Sequence, residues 1–178
     1  LPLAPRNPEE MLYMTSFSQV LAPGLRLGFV VAPKSVYGKL VQAKQAADLH
    51  TPSFNQRVVA EVMKDGFLDR HIPTIRTLYK NQRDAMLAAL DQEMVGLGVS
   101  WTRPVGGMFL WVQLPEGMDA QKLLPLAVER GMAFVPGAPF FPGNPQHNCL
   151  RLSYVTVPPA QIAQGIAALA AAIKAYAQ

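Results

Sequence analysis

The chain has little cysteine, little charge and no long apolar run, and each shortage excludes a class of protein. Cys149 is the only cysteine among 178 residues, so no disulfide can form within the chain. Charged residues make up only 16% and hydrophobic residues 50%, which is typical of a packed globular protein and not of a disordered one. The most apolar stretch, 160–177, contains Gln161, Gln164 and Lys174, so it predicts no membrane span. We therefore expect a globular protein of a reducing compartment, the cytoplasm.

Histidines are few and basic residues are scattered, so neither indicates a metal or nucleic-acid site. His50, His71 and His147 lack the spacing of metal ligands, and we expect no metal. Cys149 has no recognised histidine partner and is interpreted as a small buried hydrophobic residue. The net charge of +4 is mild, and the basic residues between 70 and 83 have no interleaved aromatic residues. They indicate a solvated helix face and not a nucleic-acid surface.

Periodicity and turn residues predict an α/β protein whose first part is residues 1–66. This part begins with a proline-containing loop and should then contain two strands and two helices, over 11–16, 25–32, 36–49 and 54–64. The second strand is apolar enough to be buried on both faces. The first helix carries an apolar stripe expected to face inward, and Ser35 and Ser53 are the expected helix caps.

The remaining chain predicts a long helix over 67–94 followed by an α+β part over 95–178. Strands are expected over 100–103, 107–114, 132–135 and 150–155. Asp119 should cap a helix that ends at Gly131, and Pro158 with Pro159 should open a last helix. That helix has one apolar stripe, formed by Ile162, Ile166, Leu169, Ile173 and Tyr176.

The segment 15–28, TSFSQVLAPGLRLG, holds the first candidate site. It is typical of a short strand that ends in hydroxyls, followed by a Pro-Gly turn. Ser16, Ser18 and Arg26 could form an anion cradle, because hydroxyls and a guanidinium suit the geometry of phosphate. An ordinary strand–turn–strand with surface hydroxyls and a salt-bridged arginine is the alternative.

Arg151 is the second candidate, because it is a charged residue in the middle of the apolar segment 148–154, NCLRLSY. A buried charge is costly unless an anion pairs with it. The anion could be a ligand carboxylate, or it could be a structural partner such as Glu61 or Asp65.

These segments, in this order along nearly the whole chain, resemble the fold-type I aminotransferases that use pyridoxal phosphate. The resemblance is to the branch with aminoadipate and kynurenine aminotransferases, which has Ser-Phe-Ser-Lys followed by Pro-Gly-Leu-Arg-Leu-Gly. It implies that Gln19 occupies the position of the lysine that binds the cofactor as a Schiff base. It also implies phosphate contacts from Ser16, Ser18 and Arg26, and a clamp on the substrate α-carboxylate from Arg151.

The resemblance also implies an architecture and partners. Residues 1–66 would be the end of the large cofactor-binding domain, with a parallel-type sheet and helices, 67–94 an interdomain helix, and 95–178 the α+β small domain. Amino acids and 2-oxo acids would be the substrates, and a homo-oligomer or the missing N-terminal half would be the protein partner. The turn 104–109 and the loop 135–141 resemble substrate-side segments of the family. The alternative for the turn is a plain hairpin entry, and the alternatives for the phenylalanines of the loop are core plugs or a partner surface.

Gln19 changes what the resemblance implies about activity. The nitrogen of a carboxamide is delocalised into its carbonyl, so it is neither a nucleophilic amine nor a proton-shuttling base. We therefore predict no covalent cofactor attachment and no transaminase turnover by this chain alone. Two alternatives remain: the effector domain of a winged-helix transcription regulator, and a degenerate binding or assembly module.

Overall fold

The computed structural model describes residues 6–176, and the chain divides into two compact units, Leu1–Ile75 and Arg76–Gln178. The first half of the N-terminal loop expected over 1–10 lies outside the described residues. The first unit contains two strands and two helices: β1 (Tyr13–Ser16), β2 (Gly28–Val31), α1 (Lys34–Asp48) and α2 (Ser53–Met63). The boundary between the units falls within α3 (Phe67–Glu93), close to the helix expected over 67–94. The domain assignment itself stays a prediction.

Strands β1 and β2 pair antiparallel, with Tyr13 opposite Val31 and Ser16 opposite Gly28. The parallel-type sheet expected for this part is therefore wrong for these two strands. The reason lies in the connection, because residues 17–27 contain only a short 3-10 turn (Pro23–Leu25) and no crossover helix. A parallel pair needs a crossover of a dozen or more residues, which is usually helical.

The apolar surfaces of the first unit are exposed, contrary to expectation. Phe29, Val30 and Val31 in β2 are 43%, 51% and 58% exposed, so this strand is not buried on both faces. Helix α1 has no buried residue, and its expected inward stripe, including Leu40 and Val41, lies at the surface. A sequence pattern identifies an apolar face, but a second layer is needed to bury it. Within the described part of this unit, β1 and β2 form a sheet of only two strands.

The expected caps of the first two helices are also wrong by one or two residues. Pro33 precedes α1, and its carbonyl accepts hydrogen bonds from the Val36 and Tyr37 amides. Pro52 precedes α2 in the same way, and neither helix has a side-chain cap. Proline has a fixed φ that suits entry into a helix, so the serines that follow lie inside the first turn.

The second unit contains the C-terminal part of α3 and a four-stranded antiparallel sheet in the order β3-β4-β6-β5. Its further elements are β3 (Ser100–Trp101), β4 (Phe109–Gln113), α4 (Ala120–Val128), β5 (Val135–Pro136), β6 (Cys149–Ser153) and α5 (Pro159–Tyr176). The expected helices and three of the four expected strands are present near their predicted positions, whereas the strand expected over 132–135 is only the two residues Val135–Pro136. Asp119 caps α4 as expected, since its carboxylate accepts from the Gln121 amide at 2.8 Å.

The core of the second unit lies between one face of the sheet and the helices. Alternate residues of the two central strands, Leu110, Val112, Leu150 and Leu152, are 0–2% exposed. The predicted stripe of α5 packs in the same core, with Tyr176 at its edge. Cys149 is 1% exposed and carries a free thiol, which confirms its interpretation as a buried residue. The mixed helices and sheets confirm the α/β class, and no helix among residues 6–176 is long and apolar enough to cross a membrane.

Candidate functional site

The first group of candidate residues lies at the end of the β1–β2 pair and in the loop 17–27. Ser16 is the last residue of β1 and pairs with Gly28, the first residue of β2. The Phe17 amide donates to the Leu27 carbonyl at 3.0 Å, so the two sides of the loop stay joined beyond the strands. Gly28 is required by this close approach, since a Cβ there would lie 2.8 Å from the Thr15 carbonyl oxygen. The strand ends thus bring Ser16, Ser18, Gln19 and Arg26 to one edge of the pair.

Gln19 is hydrogen-bonded to the first of the predicted cradle serines. The Ser16 hydroxyl donates to Gln19 Oε1 at 3.1 Å and accepts a longer bond of 3.4 Å from the Ser18 amide. The Gln19 side chain is exposed, whereas both serines are half-buried. The residue at the predicted lysine position is therefore in direct contact with the predicted phosphate site.

Arg26 lies across the loop in a left-handed conformation, with φ of 49°. Its guanidinium Nη1 donates to the Pro23 carbonyl at 3.4 Å, the side chain is exposed, and it has no carboxylate partner among the described residues of the first unit. The neighbouring Leu25 carbonyl accepts from Asn55 Nδ2 in α2 at 3.0 Å and fixes the loop on that helix. Among the described residues, no hydrogen bond joins Arg26 to Ser16 or Ser18. The structure thus places Arg26 at the same edge as the two serines, which are hydrogen-bonded to each other, but it does not bond Arg26 to either of them.

These residues fit one part of pyridoxal phosphate and not another. The Ser18 hydroxyl and the Arg26 guanidinium match the charge and the acceptor oxygens of a phosphate, whereas the Ser16 hydroxyl would first have to release its bond to Gln19. The Gln19 carboxamide, which accepts the Ser16 hydrogen bond, offers no amine for the cofactor aldehyde. The loop can hold an anion, but it has no residue at position 19 that can attach the cofactor covalently.

Arg151, in the second unit, lies in the middle of β6 opposite Trp111 of β4 and Val135 of β5. Its guanidinium carbon lies over two phenyl rings, 4.1 Å from the centre of Phe109 and 4.8 Å from that of Phe140. Within this unit no carboxylate of the described residues pairs with it. The suggested structural partner Glu61 instead pairs with Lys64 in its own unit. Arg151 is thus a half-buried cation with aromatic neighbours and no carboxylate partner among the described residues of the second unit.

The rings around Arg151 belong to a larger aromatic cluster, defined here as Phe109, Trp111, Phe140 and Phe141. Trp111 meets Phe140 edge-on at 5.8 Å between ring centres and lies 6.1 Å from Phe141. Phe109 and Trp111 are two positions apart in β4, so they lie on the same face of the sheet. Phe140 lies 31 residues farther along the chain than Phe109, so no local sequence pattern predicts that its ring joins this cluster.

Two residues that sequence reasoning missed, Tyr154 and Arg83, fix the glycine turn before β4. The Tyr154 hydroxyl donates to the Gly106 carbonyl, and its amide donates to the Met108 carbonyl, both at 3.2 Å. Arg83 in α3 donates to the Pro104 carbonyl at 3.3 Å. Burial raises the pKa of Tyr154, with nearby Arg83 acting weakly in the other direction, so the hydroxyl stays protonated as a donor.

The loop with the two serines and Arg26 lies in the first unit, and Arg151, which has no carboxylate partner among the described residues of its own unit, lies in the second. Residues 3–169 match Aminotransferase class I and II, and the chain belongs to this family. The resemblance stated from the sequence is confirmed at this level. The roles of Gln19, Ser16, Ser18, Arg26 and Arg151 stay predictions.

Known proteins similar to this chain are longer. The 2-aminoadipate transaminase of Thermus thermophilus is 49% identical over 92% of the chain, which spans 41% of that protein. The crystal structure of LysN, an alpha-aminoadipate aminotransferase from Thermus thermophilus complexed with N-(5'-phosphopyridoxyl)-L-leucine, is 47% identical with a TM-score of 0.90. This match covers 97% of the chain and 44% of the LysN chain. The HTH-type transcriptional regulator TauR of Rhodobacter capsulatus is 33% identical over 92% of this chain, which spans 34% of TauR. The chain thus spans less than half of each relative.

Proposed function

We propose that this chain is the C-terminal half of a pyridoxal-phosphate-dependent amino-acid aminotransferase that has lost covalent attachment at position 19. In this proposal Ser16, Ser18 and Arg26 hold the cofactor phosphate, and Arg151 holds the α-carboxylate of an amino acid or 2-oxo acid. Pyridoxal phosphate itself supplies the electron sink for the reaction. The chain alone positions these groups without turnover.

The observation that carries the proposal is the carboxamide of Gln19, bound to Ser16 at the predicted lysine position. A missing nucleophile and a missing general base each remove a contribution of about 10²-fold or more. The chain also spans only 41% of a 49% identical transaminase, so a large share of such an enzyme has no counterpart in it. These two deficits are independent, and both lower activity.

The test is reductive trapping with sodium borohydride in the presence of pyridoxal phosphate, followed by intact-mass and peptide analysis. We expect no adduct on the peptide around Phe17 in the wild-type chain and an adduct in Gln19→Lys, which restores a primary amine. Incubation with amino acids and 2-oxo acids should give no turnover by the wild-type chain. An adduct at that peptide of the wild-type chain, or wild-type turnover, would overthrow the proposal.

The protein partner belongs to the same proposal: a second copy of the chain, or the missing N-terminal half. It is supported by the exposed apolar residues of the first unit, including Met14 at 72%, Tyr37 at 63% and Val31 at 58%. Met14 and Val31 lie on opposite faces of the β1–β2 pair, and exposed apolar surface of this kind favours a partner that covers it. Light scattering tests self-association, since strict monomer behaviour at high concentration excludes the second copy. We also propose a cytoplasmic location, because the free, buried thiol of Cys149 suits a reducing compartment.

A second candidate function is the effector domain of a transcription regulator. The similarity to TauR, at 33% identity over 92% of the chain, is the observation that favours it. The open reading frame upstream of this sequence separates the two candidates. A winged-helix segment there supports the regulator, and a cofactor-binding segment supports the aminotransferase.

A further inference from the structure

We propose that Phe109 and Phe140 are positioning residues, which hold the guanidinium of Arg151 with its N–H groups free for a planar carboxylate. The inference deepens the proposed function, since it rests on Arg151 being the carboxylate site. It assigns roles to two aromatic residues that act on the ligand through Arg151.

The geometry around Arg151 supports this role. The guanidinium carbon is 4.1 Å from the ring centre of Phe109 and 4.8 Å from that of Phe140. An arginine guanidinium commonly stacks its flat face on an aromatic ring, and such a contact uses none of its N–H donors. Those donors have no carboxylate partner among the described residues of the second unit. An arginine whose N–H donors have no carboxylate partner can donate two parallel hydrogen bonds to the carboxylate of a ligand.

Phe109 is fixed by the backbone on both sides. It pairs with Ser153 in the β4–β6 register, two residues from Arg151. The residue before it, Met108, is held by the Tyr154 amide at 3.2 Å, and the Tyr154 hydroxyl holds the preceding turn at Gly106. The ring therefore starts from a backbone position that the core of the second unit determines.

Phe140 contacts Arg151 from the turn that precedes β6. It ends the 3-10 turn Ala138–Phe140, and its amide donates to the Gly137 carbonyl at 2.9 Å. The Gly137 amide in turn donates to the Cys149 carbonyl at 2.7 Å, which anchors the turn beside β6. Trp111 packs edge-on against the Phe140 ring. Two independently anchored rings thus restrict one arginine side chain.

Restriction of this kind lowers the entropy lost when the arginine binds a ligand. An arginine side chain has many rotamers in water, and ordering a side chain on binding weakens affinity. Removing either ring should therefore weaken carboxylate binding by about two- to tenfold without removing the binding group. If the two rings had only a structural role, removing one would lower the thermal midpoint of unfolding and leave the affinity for a carboxylate unchanged.

Nuclear magnetic resonance of the 19.4 kDa chain gives a readout specific for Arg151. Its Nε–H resonance is assigned by its loss in Arg151→Lys, and ring currents from the two phenyl groups should shift it upfield. Titration with 2-oxoadipate then reports binding at this side chain. We expect Phe109→Leu and Phe140→Leu to remove part of the upfield shift and to weaken binding by the stated factor.

Three controls separate positioning from stability. Phe140→Tyr keeps a ring, and its hydroxyl can reach water because residue 140 is 48% exposed, so wild-type affinity is expected. Phe54→Leu makes the same change at a residue of the first unit that is 76% exposed, and it should alter neither shift nor affinity. Thermal midpoints of all variants show whether the second unit remains folded.

The outcomes distinguish the inference from the proposed function. If the wild-type chain binds 2-oxoadipate at Arg151 and the leucine variants bind equally well, the positioning role is wrong and the carboxylate site stands. If the wild-type Arg151 resonance does not respond to 2-oxoadipate, both the inference and the carboxylate assignment are wrong. Weaker binding by the leucine variants, with retention in Phe140→Tyr, supports the inference.

Discussion

Gly137 lies where two backbone segments of the second unit approach too closely for a side chain. Its amide donates to the Cys149 carbonyl at 2.7 Å. A Cβ at position 137 would lie 2.7 Å from Cys149 Cβ and 2.8 Å from the Cys149 carbonyl oxygen. Cys149 is 1% exposed and belongs to β6, so it cannot move aside without disturbing the central strands. Gly137→Ala should therefore destabilise the second unit through a steric clash.

The expected loss of stability follows from two destabilising contributions and one stabilising contribution. Overpacking in a well-packed region costs about 1–3 kcal/mol, and the weakened hydrogen bond to Cys149 adds about 0.5–1.5 kcal/mol. Residue 137 has φ of −80° and ψ of −24°, which alanine adopts freely, so restriction of the unfolded chain returns about 0.4–1 kcal/mol. We expect a net loss of roughly 0.5–4 kcal/mol in the free energy of unfolding.

Urea denaturation followed by tryptophan fluorescence measures this loss, since Trp111 packs against Phe140 three residues beyond Gly137. The matched control is Gly143→Ala in the same loop, where a Cβ would meet nothing within 4 Å. The control should stay within about 0.5 kcal/mol of wild type. Equal midpoints for Gly137→Ala and Gly143→Ala would refute the close approach of residue 137 to β6.

Two further perturbations test the charge and the packing of the fold. The pKa of Tyr154 is raised by burial, so the stability due to its neutral form is complete below its ordinary value of 10.0 and is lost as pH rises through the folded-state pKa. Tyr154→Phe should lower the free energy of unfolding by about 1 kcal/mol near neutral pH, because the hydrogen bond to Gly106 is lost. In melts followed by circular dichroism, the stability of this variant should also fall less than that of wild type as the pH becomes alkaline. Leu123→Ala, at a site 0% exposed, should cost about 2–5 kcal/mol, whereas Leu40→Ala, 36% exposed in α1, should cost less than about 1 kcal/mol in the same urea titration. Similar losses at both leucines, or an unchanged alkaline decline in Tyr154→Phe, would contradict the burial described.

The second unit was predictable because its signals are local and its apolar faces find partners. The apolar stripe of α5, the Asp119 cap of α4 and the alternation of β4 each follow from residues a few positions apart. Each pattern also agrees with the packing, since the buried residues of β4 and β6 meet the helices in one core. Local preference and tertiary contact point to the same structure here.

The first unit was harder to predict because sequence patterns do not state what covers an apolar face. Phe29, Val30 and Val31 indicate a buried strand, yet each is more than 40% exposed. The candidate sites show the same limit. The motif around Gln19 is contiguous and could be recognised, whereas the contacts of Arg151 with Phe140 and of Tyr154 with Gly106 join distant segments.

The hydrogen bond between Ser16 and Gln19 connects the residue at the predicted lysine position with the proposed phosphate cradle. The Ser16 hydroxyl has a single proton, and it is donated to Gln19 Oε1 at 3.1 Å. A hydroxyl engaged in this way cannot donate the same proton to a phosphate. A lysine at position 19 has donors and no acceptor, so it would release the Ser16 proton and add a positive charge at the same edge of the strands. The carboxamide therefore acts on the proposed cradle as well as on covalent attachment, because it removes the amine and competes with the anion for one of its donors.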